Sequence, residues 1–500
     1  MFLKINHAKG SAPMTNINLP SMKRLIVLML AAAMSMSVFS CGEKQPNGDA
    51  TLDTSEAETE KKDEYGFTKE YEGSEIRVLN IEDIFSYHCV IDPGESLGDA
   101  LSDAQYKGIR KLEDLMGITW KETNVGLQEE FPALVPQMIA ADEDNYDIIY
   151  ENTRDYYNFA SQNYYHNLLD YPELQLSEDW FISAYNDSNR IGDKLYTAFG
   201  YSSFTIVDAI SCLLFNQDMV DSLGLSQPYD LVRNGTWTLD RYSEYLKAAA
   251  NLNGDDAFKW KDDGSCIWGV SYTKNVGAGS MKPCGEMCID NIDGKIVLTA
   301  GTERFYNVFD KLSEIISAKD GTVYLGHYSG DDKPGSYVNC FEAGRALFGG
   351  SEVAKANRMR HIDMNFGVLP YPKYDEAQER YYSTPSYPAS GVSIPVTCKT
   401  PNRSAAVGNA VNRLFYNEVW PTFREVTLET KNMRNDDSIE MLDIILNSLY
   451  PNVQSVFSVA PAFFDKLTAA MQKGGTSAAS IFASYENKLN EDVAKINSGE

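Results

Sequence analysis

DIIYENTR, residues 147–154, joins a short apolar run to a polar tail, and its reading decides the fold. Asp147-Ile148-Ile149-Tyr150 fits a strand buried on both faces, as strands of parallel sheets are. Upstream, Ile76-Arg77-Val78-Leu79-Asn80-Ile81 reads as a short strand. Leu97, Leu101, Ala104, Ile109, Leu112 and Leu115 then keep the spacing of one helix face, and Ile118–Thr123 alternates as a second strand. Residues 130–140 suggest another helix, with Pro132 suited only to its first turn and Pro136 expected to kink it. Strand, helix, strand, helix, strand is the α/β pattern, whose ligand positions lie just past the carboxyl ends of strands. Glu151, Asn152 and Arg154 stand in that place.

Downstream the signals are more local. Trp237-Thr238-Leu239-Asp240 starts an amphipathic run over Tyr242–Ala249, with Thr238 placed as N-cap and Trp237 reading first as a core residue. Gly349-Gly350 after an apolar run lets backbone approach closely, for packing or for a ligand. Gly367 to Pro372 reads as a strand ending in a loop crowded by Tyr371, Tyr374, Tyr381, Tyr382 and Tyr387. A tyrosine offers an apolar face and a hydroxyl, which suits a sugar ring and equally a wet interdomain surface. Three further helices are expected: one introduced by residues 402–404, one capped by Asp437-Ser438, and a last from about Ser477 to Ile496.

The amino-terminal region carries an address. Lys23 and Arg24 precede an uninterrupted apolar and small-residue run from Leu25 to Val38, the layout of a secretory signal. Val38-Phe39-Ser40-Cys41 resembles a bacterial lipobox, in which Cys41 is diacylated and becomes the mature N-terminus; Phe39 departs from the smaller residue usual there. Residues 1–21 read as an upstream extension with Met22 the initiator, 22–40 as the signal, and 41–73 as an acidic tether too poor in large aliphatic residues to fold. The chain of 500 residues carries a formal charge of −27, and residues 1–40 hold four basic and no acidic residues, which leaves −31 from Cys41 onward. Such a body is repelled by nucleic acid. Its size exceeds one core, so two lobes are expected.

Seven cysteines remain after Cys41, an odd number at irregular spacing, so free or locally paired thiols are expected over a disulfide framework. Cys284 and Cys288 form the one close pair, without a histidine nearby. The five histidines never cluster, which argues against zinc. Asn251, Asn253, Asp255 and Asp262 fall at positions 1, 3, 5 and 12 of a calcium loop, but Asp256 stands where a glycine is wanted, so a solvated acidic turn is the first expectation. No H-E-x-x-H, G-x-S-x-G, P-loop or dinucleotide fingerprint occurs, and nothing calls for a cofactor.

Longer phrases carry a resemblance. Tyr146–Ile149 followed by Leu168-Leu169-Asp170-Tyr171, Asp193-Lys194-Leu195-Tyr196 and Leu214–Asp218 is similar to the solute-binding proteins of ABC importers. Gly235–Asp240, Phe341–Phe348 and Phe366–Lys373 extend the likeness to the maltose-binding-protein-like group, in its lipoprotein form. The resemblance implies a two-lobed α/β fold of the type II periplasmic-binding-protein kind. One lobe would take residues 74–205 with 390–425, the other 206–389 with 430–500. Three crossovers near 204–210, 386–391 and 421–436 would form the hinge, with the ligand in the cleft between lobes. Carried over by position, the ligand groups are Glu151, Asn152 and Arg154, then Asp208, then Ser351 and Glu352. Trp180, Tyr196, Tyr201, Trp268 and Tyr387 are candidates for a stacking surface. The function implied is capture of a small solute, a carbohydrate first, by a monomer anchored to the outer face of a bacterial cell membrane, and its delivery to an ABC permease. The alternatives are a lipid-anchored glycan hydrolase and a solute-sensing surface lipoprotein.

Overall fold

The computed structural model describes residues 64–498 apart from 85–86, 328–333, 357–358, 360–361, 426–434, 451–452, 454–456 and 458. The signal, Cys41, most of the tether and residues 426–434 of the crossover expected at 421–436 lie outside the described residues.

The described strands are β1 (Glu75–Ile81), β2 (Thr119–Val125), β3 (Ile148–Asn152), β4 (Ser211–Asn216), β5 (Trp268–Thr273), β6 (Ile289–Ile292), β7 (Lys295–Leu298), β8 (Val323–Gly326), β9 (Ala346–Glu352), β10 (Phe366–Leu369) and β11 (Ser390–Ser393). The first sheet runs β11-β3-β1-β2, the second β10-β4-β9-β5-β8, and β6-β7 is a separate hairpin. In the first sheet β1 pairs parallel with β2 and β3, and helices α1 (Ala100–Met116) and α2 (Glu130–Ala140) make the connections. Asp99 caps α1 by accepting from the Ser102 amide, and Gly117 ends it at φ 68, in the left-handed region that glycine enters without a Cβ clash. Leu101, Ile109, Leu112 and Met116 are its buried face, while Leu97, expected on that face, precedes the helix and is exposed. The second helix continues past Pro136 to Ala140, with Phe131, Val135 and Met138 buried along it.

The buried strand of the DIIYENTR stretch extends two residues beyond its apolar run. Glu151 and Asn152 are in β3, not past its end, because β11 arrives antiparallel and pairs Gly391 with Glu151 and Ser390 with Asn152. At the other end of β3 the buried Asp147 carboxylate ties the sheet together. It accepts from the Arg77 amide at 2.8 Å and Arg77 Nε at 2.9 Å, and from Arg403 Nη2 at 2.8 Å. Burial alone would raise its pKa, but the two guanidiniums outweigh burial and hold the carboxyl below the usual range.

In the second sheet β5 is parallel to β8 and β9, while β4 runs antiparallel to β9 and β10. Trp237 is fully buried, its indole donating to the Pro370 carbonyl at 3.1 Å, ahead of α3 (Leu239–Ala249). Thr238 holds the cap position of α3 but its side chain makes no capping bond. The helices α4 (Glu303–Ile316), α5 (Pro401–Leu414), α6 (Asp436–Asn447), α7 (Pro461–Lys473) and α8 (Ala478–Ser498) complete what positions the site. Asn435, not Asp437 or Ser438, caps α6, accepting from the Ser438 amide.

One apolar cluster runs from Ile81, Phe131 and Ile149 beside the first sheet to Phe305 on α4, Phe463 on α7 and Ile481 on α8. The β6-β7 hairpin reaches the same side, with Gly192 N donating to Gly294 O at 2.8 Å. The stretch expected to be free up to residue 73 is packed from its described start. Tyr65, Phe67 and Tyr71 join the core under α1, because three aromatics supply the buried area that the aliphatic count missed. All seven cysteines of the described residues are buried and free.

Candidate functional site

Strand β9 carries Gly349-Gly350-Ser351-Glu352 to its carboxyl end, and β5, parallel beside it, ends in Tyr272-Thr273. A cavity of about 460 Å³ opens there, within the range that takes small organic ligands. Tyr337, Tyr371 and Tyr387 join Tyr272 around it, with Ser211, Thr273, Asn275 and Ser351 as neutral polar groups. Gly350 lets the rings lie against β9: a Cβ there would stand 2.4 Å from Tyr272 Cδ1 and 3.1 Å from the Tyr371 hydroxyl. The Tyr272 and Tyr371 rings stack with centroids 6.4 Å apart and planes 14° apart, and the Tyr272 hydroxyl shares a 2.9 Å hydrogen bond with that of Tyr242. Burial pushes both cavity phenols far above their ordinary range, so they stay neutral donors.

The charged part of the wall is an ion pair. Lys355 Nζ lies 2.9 Å from Glu352 Oε2 and donates to the Tyr337 hydroxyl at 3.1 Å. From the loop after β1, the Tyr87 hydroxyl donates to the same Glu352 oxygen at 2.5 Å. Beside it, His88 donates its amide to the buried Asp208 carboxylate at 2.7 Å and places Nδ1 2.8 Å from the same oxygen. Burial, the largest single influence, would depress the imidazole pKa, but the charge and hydrogen bond of Asp208 with the charges of Asp83 and Asp99 together raise it. Asp208 closes the four-residue helix Thr205–Asp208 that leads into β4.

Of the residues expected at a site, Ser351, Glu352 and Tyr387 line this cavity. Glu151 is fully buried beside β11, receiving the Asn152 amide at 2.9 Å and bonded to the Tyr165 hydroxyl; burial raises its pKa well above the carboxylate range. Asn152 accepts from the Arg154 amide at 3.0 Å and shapes the turn that follows. Arg154 turns to Gln128 at 2.8 Å, beside a second hollow of about 400 Å³ bordered by Glu82, Ile84 and Leu127 past the ends of β1 and β2. Trp180 donates to Asn409 at 2.7 Å in a local core cluster, and Trp268 is buried against Tyr324 at 4.7 Å between centroids. Tyr201 packs on Tyr416 and Trp420, and Tyr196 borders a separate hollow near the end of α8. In the loop of Asn251, Asn253, Asp255 and Asp262 the side-chain oxygens serve the loop itself. Asp255 accepts the Ser265 and Cys266 amides at 2.8 and 2.7 Å, Asn251 that of Asn253, and Asp262 the Trp260 indole.

Sequence reasoning left out Tyr87, His88, Tyr272, Tyr337 and Lys355. Lys355 had a signal, standing three residues after Glu352, a spacing at which opposite charges meet on a helical turn. Tyr87 and His88 had none, since their partners lie far along the chain.

No family model and no curated protein matches the chain by sequence. Solved structures do match by shape. An ABC substrate-binding protein of Listeria monocytogenes in complex with cycloalternan aligns at TM-score 0.55 with 12% identity, over 84% of this chain and 99% of that one. The GacH receptor of Streptomyces glaucescens aligns at TM-score 0.53 with 13% identity, over 84% and 99%. This chain has the two-lobed solute-binding-protein fold. A third example is the galacto-N-biose-/lacto-N-biose I-binding protein of Bifidobacterium longum, at TM-score 0.55 and 13% identity over 84% and 97%. The cavity lies against the second sheet, and Tyr87 and His88 reach toward it from the loop after β1 of the first.

Proposed function

We propose that the protein is a lipid-anchored extracytoplasmic binding protein. It captures a carbohydrate in the cavity at the ends of β5 and β9 and passes it, chemically intact, to the permease of an ABC importer. The observation that carries this reading is the composition of the cavity on this fold. Four tyrosines offer flat apolar faces to the C–H side of a sugar ring, while their hydroxyls, Ser351, Thr273 and Asn275 match its hydroxyls. Its only ionic groups among the described lining residues, Glu352 and Lys355, neutralise each other, which suits a neutral ligand better than a peptide with charged ends. The volume holds roughly two or three sugar units by the usual size of such pockets. The fold neighbours support the same class, since their ligands include cycloalternan, maltotetraose and lacto-N-biose.

The lipid anchor rests on Cys41 and the signal before it. No helix of the described residues is long and apolar enough to cross a membrane. A thermal-shift screen against neutral oligosaccharides and di- and tripeptides tests the ligand class, because a solute that binds only the native state raises its melting temperature. Stabilisation by an oligosaccharide recovered unchanged after long incubation is the expected result. Stabilisation by peptides alone refutes the carbohydrate, and a cleaved sugar refutes the binding role.

A further inference from the structure

The loop after β1 is built with unusual care for a connection. Asp83 Oδ1 accepts the amides of Cys89 and Val90 at 2.8 and 2.9 Å, and Asn80 donates to the Cys89 carbonyl at 2.8 Å. Glu122, on β2, receives the Ile91 and Asp92 amides at 3.0 and 2.8 Å, together with Asn80 Nδ2 at 2.9 Å. Burying a carboxylate is costly unless hydrogen bonds replace its water. Here those bonds fix the backbone that presents two consecutive side chains away from its own sheet. Tyr87 meets the Glu352 carboxylate, which belongs to the cavity wall on β9, and His88 meets Asp208 at the crossover into β4.

We propose that Tyr87 and His88 are positioning residues of the binding site, coupling lobe closure to assembly of the cavity wall. Glu352 Oε2 has two donors, Tyr87 from the loop after β1 and Lys355 three residues further along its own segment. Lys355 ties Glu352 to Tyr337 from its own side of the cleft, and the Tyr87 hydroxyl adds the contact that forms only when the two sides meet. Hydrogen bonds to a charged group are the strong ones, so the Tyr87–Glu352 and His88–Asp208 contacts bias the lobes toward meeting before any solute arrives. A ligand then adds its own contacts to a wall already in register, which lowers the ordering cost of binding. The assignment of the cavity to a ligand rests on the function proposed above; the contacts and their effect on closure do not.

The test is therefore made without ligand. Tyr87→Phe deletes one oxygen, and His88→Ala removes the imidazole. Small-angle scattering and hydrogen exchange are compared with the wild type in the full, processed chain. Loss of one charge-assisted contact shifts the closed-to-open ratio about tenfold toward open. It appears as a larger radius of gyration and faster exchange in residues 350–356. His88→Asn, whose amide can donate from the place of Nδ1, restores both readouts; a role in packing alone would not be rescued this way. Unchanged scattering and exchange in Tyr87→Phe overturn the proposal. If His88→Ala does not fold, Tyr87→Phe alone decides. Failure to bind any oligosaccharide leaves these measurements standing, so the two readings fail separately.

Discussion

Replacing Gly350 by alanine tests the cavity at its tightest point. The backbone there has no positive φ, so the residue itself can accept a side chain. What resists is the neighbour: the new Cβ would stand 2.4 and 2.6 Å from Tyr272 Cδ1 and Cε1, well inside contact distance. Tyr272 cannot swing away freely. Its hydroxyl is tied to Tyr242, its ring is stacked on Tyr371, and the Tyr371 hydroxyl is itself 3.1 Å from the same Cβ. Over-packing of this kind costs about 1–3 kcal/mol, seen as a lower denaturant midpoint at unchanged slope. Both cavity rings must also move, so oligosaccharide affinity falls by more than the stability loss alone explains. Gly279→Ala is the control, because no atom lies within 4 Å of its Cβ position; it stays within about 0.5 kcal/mol of wild type. A Gly350→Ala variant with the wild-type midpoint and affinity would refute the reasoning.

Three further outcomes concern Glu151 and Asp147 in the first sheet and Cys41 at the expected lipobox. Glu151→Gln keeps the shape of a carboxyl whose pKa burial raises. The wild type loses stability as pH rises from the ordinary glutamate range through the raised folded pKa, and the variant lacks that slope, so its relative stability grows with pH in urea titrations. Asp147→Ala removes the carboxylate shared by Arg77 and Arg403, and because Arg77 keeps Asp144 the cost is about 1–3 kcal/mol. The contribution of Asp147 is present above the ordinary aspartate pKa and is lost as pH falls through its depressed folded value, so the variant shows a flatter acid limb. Cys41→Ser abolishes acylation and releases the protein from the membrane fraction or leaves it unprocessed, read by fractionation and mass spectrometry; wild-type membrane retention with the signal removed would refute the lipobox reading.

The fold class was legible where the chain repeats itself at short range. The α1 and α2 stretches show helical spacing, and Asp147–Tyr150 is apolar enough to declare a buried strand. Strand β11 was not legible, because Ser390-Gly391-Val392-Ser393 has neither length nor alternation, and its partner is remote in sequence. That omission is also why Glu151 and Asn152 were expected past a strand end. At the cavity, Gly349-Gly350 and the tyrosine-laden loop were visible as features. Of the cavity tyrosines, Tyr272 is placed by the register of β5 against β9, and Tyr337, Tyr371 and Tyr387 by a helix start and two loops, through pairing partners that no local window contains. Tyr87 and His88 act only through tertiary contacts with Glu352 and Asp208, and a single sequence carries no trace of such pairs.

The placement of β11 also governs how the chain can reach this structure. The first sheet is parallel from β1 to β3 and could assemble early, yet the outer edge of β3 stays unpaired until Ser390–Ser393 has emerged, after the whole second sheet. An open edge on a buried, apolar strand is a template for mispairing, and pairing across so long a separation is slow. Folding of the first lobe is therefore held back until late in the chain. Truncations before residue 390 leave that edge open and are expected to aggregate.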